Sequence, residues 1–356
     1  MKTRLCLLLF ILALCVACTP EPANDTEAQT RFFSQVRGTA VSPDYQLRFP
    51  HDHGSHPDQG IEWWYITANL HSDLGKAFGV QWTLFRVSAP NTHYASHWWD
   101  DQLYFAHFAI QNDESHQAYE RYGRAGQIEI ATTPFIARLD DWYLKSDSSA
   151  FLPLSLHASE SGNRINLKLN DSPLVLHGEN GYSEKTADGH ASMYYSYPFL
   201  NASGTLYFNG ESHQVSGKAW LDREWSSAFI SKTQRGWDWF SIRAKDSKQG
   251  ALMVFCIRDN EQSYTDCRGT KIASDGKSPQ QIEHNEIKLT VLKSIPLDGV
   301  HYPSKWQLEL DGESPIIIEA INRDSRNQLS IPYWEGRVRT SGGLDGEGFA
   351  ELVGYQ

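Results

Sequence analysis

The chain has 356 residues, room for about two domains at ~150 residues each. It is 40% hydrophobic and 21% charged, a globular balance, and its formal net charge of −11 argues against a nucleic-acid partner, which would want a basic stripe. No dinucleotide fingerprint, phosphate loop, HExxH or CxxC pair is present, so no cofactor and no metal are expected.

At the start, Lys2 and Arg4 precede an apolar run, Leu5 to Val16, too short to span a membrane, and Ala17-Cys18 ends it. The pattern resembles a bacterial lipoprotein signal over residues 1–18, with Cys18 as the lipidated first mature residue. Cys15 stands where leucine is usual, so ordinary signal cleavage is the alternative. Residues 19–38 begin TPEPANDTEAQT and read as a polar tether. These features imply an exported protein facing the periplasm and held to a membrane by its acyl anchor. Thr19, rather than aspartate, favours the outer membrane over the inner.

Beyond the tether, short runs rich in Val, Ile, Thr, Tyr, Phe and Trp recur between turn signals, which predicts an all-β fold with few, short helices. Asn209-Gly210 between alternating runs predicts a hairpin. Residues 62–86 and 238–258 form a faint repeat: an acid, Trp and a second aromatic, a strand, a polar turn with glycine, then a strand ending in Arg. Two consecutive antiparallel units are expected, 39–228 and 229–356, joined near 226–236. Cys256 and Cys267 are the cysteines left outside the signal, and a turn centred on Glu261-Gln262 would set them opposite each other as a disulfide.

Two stretches carry candidate chemistry. HDHGSHPDQGIEWWY, residues 51–65, gathers histidines and carboxylates, but its spacing matches no standard metal site and reads better as a loop locking the first strand. Along EWWY, Glu62 and Trp64 point one way and Trp63 and Tyr65 the other. In GKAWLDREWSS, Trp220, Asp222 and Glu224 share a strand face, and Arg223 lies on the opposite one. If the first face is a barrel lumen, the two carboxylates would raise one pKa and leave a protonated acid near neutrality. The alternative is that Arg223 or Arg86 pairs with these acids and braces the junction between halves.

Taken together, HPDQGIEWWYIT, YFAHFAI, GYSEKT, ASMYYSYP, GKAWLDREWSS, GWDWF, PYWEGRVR and GFAELVGY resemble the AttH-like/carotenoid 1,2-hydratase superfamily. The resemblance implies two lipocalin-like β-barrels. It also implies a hydro-lyase site in which Asp222 protonates an isoprenoid alkene, with Trp220 and Tyr195 or Tyr194 shielding the cation. Where the hydratases are thought to use a histidine near that upstream aromatic, this chain has Ser192-Met193. Members with a lipoprotein-like start resemble partners of ABC transporters, which makes a carrier of a hydrophobic small molecule the first expectation and the hydro-lyase the second. One cavity or its rim is expected to hold Asp222, Glu62, Trp64, Trp220 and Tyr195, with His56 and His107 as further candidates and Arg223 and Glu224 beside them.

Overall fold

The computed structural model describes residues 36–89, 94–187, 189–228 and 234–355. Cys18, the signal and most of the tether lie outside them, as does the centre of the expected join. Val36 is already fully buried against Ile61, Val87 and Phe105, and Gly38 N–H bonds Ser227 O. Residues 36–38, at the end of the stretch expected as tether, therefore dock on the first sheet.

The strands form two antiparallel sheets, one running from Ile61–Ser72 to Glu211–Ser226 and the other from Gln234–Ala244 to Gly346–Val353. Among the described residues, helix is confined to two 3₁₀ turns, His51–His53 and His284–Glu286. The centre of the first sheet sets Ala77–Ser88, Ile61–Ser72, Glu211–Ser226 and Ala191–Phe208 side by side. Both sheets curl into the two lipocalin-like barrels expected from the sequence.

Local sequence explains the outer strands. In Asn163–Asn170, Ile165, Leu167 and Leu169 turn inward while Arg164, Asn166 and Lys168 stay out. Asn209 and Gly210 both take positive φ, 52° and 84°, and close the hairpin in which Phe208 faces Glu211. That turn suits the strand twist, and asparagine and glycine tolerate it. Cys256 and Cys267 occupy directly opposed positions and are joined by a disulfide.

The central strands behave differently. From Ala219 to Ser226 every residue is buried, whichever face it points to. One face, with Ala219, Leu221 and Trp225, packs into the first barrel's core beside Trp64 and Trp82. The other carries Trp220, which joins Tyr65 and Tyr194 against Trp239, Met253, Phe255 and Phe349 of the second sheet. Burial on both sides is why three consecutive charges can be buried between two tryptophans.

The repeat also has a structural counterpart. Glu62 faces Arg86 across the first hairpin and bonds its guanidinium, and Asp238 pairs with Arg258 at 3.1 Å in the second. Each unit thus begins and ends its first hairpin on a buried acid–arginine lock.

Candidate functional site in the seam between the sheets

A cavity of about 120 Å³ lies between the two sheets. Trp63, Phe85, Phe105, Trp237, Trp239 and Phe255 supply most of its wall. Phe85 and Phe105 stack at 4.5 Å, which gives the cavity one flat aromatic face. Polar groups enter from both sides: Asp222, Glu224, Tyr194, Ser192 and His107 from the first sheet, Glu351 and Tyr333 from the second.

Asp222 is 3% exposed and its carboxylate meets no cation among the described residues. Trp220 Nε1–H donates to Oδ1 at 2.6 Å, Tyr194 O–H to Oδ2 at 2.8 Å, and the Ser196 hydroxyl to Oδ1. Burial pushes its pKa up to about 7 even though these three donors oppose the shift, and the Glu224 charge adds to it. Glu224 is held otherwise, by Lys185 Nζ at 2.8 Å and by the Ser192 hydroxyl at 2.5 Å. Lys185 also sits 4.2 Å over the Phe255 ring and 4.7 Å over Tyr194.

Across the cavity, Glu335 and Glu351 oppose each other on adjacent strands, Glu335 fully buried and Glu351 partly buried where it lines the cavity. Tyr65 O–H donates to Glu335 Oε1 at 2.5 Å, and Trp237 Nε1–H to Glu351 Oε1 at 2.8 Å. Burial, then the neighbouring Glu351 charge, drives Glu335 well above the carboxylate range, so it is a neutral acid. Its Oε2 meets no donor among the described residues. Glu351 is raised by burial to about 7. His107, 1% exposed and held neutral by burial, bonds Tyr333 O–H through Nδ1 at 2.9 Å and has no partner at Nε2.

The expected single cavity is corrected by strand alternation. Glu62, Trp64, His56, Arg223 and Tyr195 lie on the opposite face, at the mouth of the first barrel. There Arg223 Nη2 donates to Glu62 Oε2 at 2.6 Å, and His56 contributes its backbone N–H to Oε1 at 2.8 Å. The Arg223 guanidinium lies 3.8 Å over Trp64, and His56 stacks on Trp225 at 3.7 Å. Tyr195 O–H bonds Asp52 O at 3.1 Å and lies 2.7 Å from His53 Nδ1, so Tyr194 is the tyrosine beside Asp222. Trp220 stands behind Asp222 rather than on the cavity wall. Arg223 and Arg86 bond Glu62 and reach neither Asp222 nor the Glu224 carboxylate.

His51, Asp52 and His56 bring three donor atoms within 4.8 Å of one another. Asp52 already accepts from Tyr45 O–H, Arg48 N–H and His51, and His56 Nε2 lies 3.3 Å away, so the group closes on itself as the loop lock the sequence suggested.

Sequence reasoning did not assign roles to Glu335, Glu351, Lys185, Trp237 or Trp239, although all five lie in motifs quoted for the resemblance. A lone acid in an apolar strand was the available signal for Glu335 and Glu351.

Two curled antiparallel sheets packed about an aromatic, acid-bearing seam define a two-barrel, lipocalin-like protein. The AttH-like family matches residues 40–355, and the chain belongs to it. Its structure is similar to that of a Nitrosomonas europaea protein assigned as an AttH, with 32% identity, 89% of this chain and 100% of that one covered, and a TM-score of 0.79. It shares its fold with kievitone hydratase from Nectria haematococca (16% identity, 91% and 97% covered, TM-score 0.67). The fold also recurs in CghA, solved with Sch210972 (11% identity, 91% and 97% covered, TM-score 0.54). No curated protein sequence matches the chain.

Proposed function

We propose that the seam cavity binds an apolar ligand bearing a double bond, of isoprenoid character, and that the protein adds water to it. The observation supporting this is Asp222, a buried carboxyl that titrates near neutrality on the wall of an aromatic cavity. A protonated acid there can deliver H⁺ to an alkene carbon. The resulting tertiary cation would face Trp63, Trp237 and Trp239, whose π-faces attract positive charge. Water then adds to the cation and loses its second proton to Glu351, itself near its titration point. A cavity of about 120 Å³ compares with the roughly 150 Å³ that admits benzene. It therefore suits one ring or one isoprenoid end, with the rest of a longer molecule outside. Kievitone hydratase offers a hydratase by name on the same fold.

A second reading, a carrier without chemistry, is favoured by one observation: three donors already satisfy Asp222 with no ligand present. Such a carrier would be anchored through lipidated Cys18, facing the periplasm from the outer membrane, and would pass a hydrophobic molecule to an ABC transporter. Incubation with lycopene-like polyenes, wild type against Asp222→Asn, separates the two. Mass gain of one water, lost in the variant, is expected. A bound lipid recovered by solvent extraction with no turnover would select the carrier. The anchor predicts that Cys18→Ser protein leaves the membrane fraction for the soluble one; equal membrane recovery would reject it.

A further inference from the structure

Asp222 must regain a proton after giving one up, and only 3% of its surface is exposed. Neither Ser196 nor His177 lines the aromatic cavity, yet both connect to Asp222. The Ser196 hydroxyl donates to Oδ1 and lies 2.6 Å from His177 Nε2. His177 Nδ1 is 2.9 Å from Thr270 Oγ1, which comes from the second sheet, and Thr270 O–H donates to Gln281 Oε1 at 2.9 Å. His177, Thr270 and Gln281 line a second cavity of about 410 Å³, where Glu184 and Glu283 are exposed. Phe255 borders both cavities and stands between them.

We infer that Thr270, His177 and Ser196 form a proton wire that recharges Asp222 from this second cavity. The inference rests on the proposed role of Asp222 as proton donor. The hydrogen bonds have two consistent settings. With Asp222 ionised, His177 Nε2–H donates to Ser196, Ser196 O–H donates to Asp222, and Thr270 O–H donates to Nδ1. With Asp222 protonated, its O–H donates to Ser196 Oγ, Ser196 O–H to Nε2, Nδ1–H to Thr270 Oγ1, and Thr270 O–H to Gln281.

Passing from the first to the second breaks the Nε2–H and Ser196 O–H bonds and forms new Ser196 O–H and Asp222 O–H bonds. The imidazole takes the Thr270 proton at Nδ1, and Thr270 recovers one from a hydronium ion in the second cavity, leaving water. One proton enters, the Asp222 charge disappears, and no group is left charged. A neutral imidazole throughout agrees with His177 being fully buried, since burial, then the Lys185 charge, disfavours its cation. His177 thus acts through Asp222 and is a positioning and relay residue.

The test follows Asp222 protonation directly, without substrate. Mature protein labelled with ¹³C-aspartate is taken from about pH 9 to about pH 5, spanning the range in which a raised buried carboxyl titrates. Growth of the protonated-carboxyl infrared band is timed, with Asp222→Asn identifying the band. His177→Phe keeps a ring against Tyr194 and should slow protonation roughly 100-fold. Ser196→Ala should slow it too, whereas Ser196→Thr, which retains the hydroxyl, should not. Added imidazole should restore the rate in His177→Gly. A His177→Phe rate matching wild type, or a slow His177→Gly that imidazole leaves unchanged, would overturn the wire alone. Absence of any Asp222 band in wild type would overturn the donor role and the wire with it.

Discussion

Glu62 and Asp222 are buried acids on neighbouring strands, three residues apart in register, and their pKa values shift in opposite directions. Both lose water, which by itself raises a carboxyl pKa. Glu62 faces the first barrel, where the charges of Arg223 and Arg86 outweigh burial and hold it well below the usual carboxylate range. Asp222 faces the seam, meets three neutral donors and no cation among the described residues, and rises to about 7. In the second sheet, burial raises Asp238 despite Arg258 and two tyrosine hydroxyls. Two guanidinium groups offset full burial in this protein, and one does not. The first barrel's acid is therefore held as an ion-paired lock, and the seam's acid is held close to its titration point.

The largest expected effect tests the lock. Glu62→Gln leaves Arg86 and Arg223 buried without their anion and should cost about 3–5 kcal/mol in urea unfolding. At about pH 6, Asp222→Asn replaces a largely neutral acid with a neutral amide and should cost roughly 1 kcal/mol. Equal losses would erase the distinction between the two acids.

Asp222→Asn should instead appear in chemistry. Turnover of a polyene substrate should fall roughly 100- to 10,000-fold, while quenching of the cavity tryptophans by ligand persists. Loss of binding in step with turnover would make Asp222 a packing residue.

The pH dependence sharpens the comparison further, because the two signs differ. Glu62, depressed from 4.5, contributes stability that is present above that value and lost as pH falls below it. Asp222, raised from 3.8 to about 7, binds its proton more tightly when folded, so stability falls as pH rises through that window. Each such acid steepens the fall by about 1 kcal/mol per pH unit. Denaturation at several pH values should show a shallower decline for Asp222→Asn between about pH 5 and about pH 7; an unchanged slope would contradict the raised pKa.

The smallest effect concerns the seam's second pair. Glu335→Leu removes the hydrogen bond that lowers the Glu351 pKa and should move the Glu351 titration upward by about one unit or less in ¹³C NMR. Glu335→Gln, which keeps a donor, should move it less. A downward shift in Glu335→Leu would mean that charge repulsion from Glu335 dominates.

Much of the fold was legible because its signals are local. Period-2 alternation set the strands, Asn209-Gly210 set a hairpin, and the acid-to-arginine repeat marked one buried lock per unit. Alternation also separated Glu62 and Trp64 from Trp63 and Tyr65, and Asp222 from Arg223. What the residues left open was which of those faces meets what. The residues left Asp222 facing either a barrel lumen or the junction between halves, with Tyr194 or Tyr195 beside it, because alternation orders the faces of a strand without saying what covers them.

Tertiary structure decided this for a nonlocal reason. The second sheet packs on the outer face of the first barrel's central strands and brings Trp237, Trp239, Glu335 and Glu351 to Asp222 from more than a dozen residues away in the chain. Sequence determines the side of its own strand on which a residue lies. The partner across that side, and with it the charge state of a buried acid, is fixed only when the sheets close on each other, because burial and cation contact are properties of that packing.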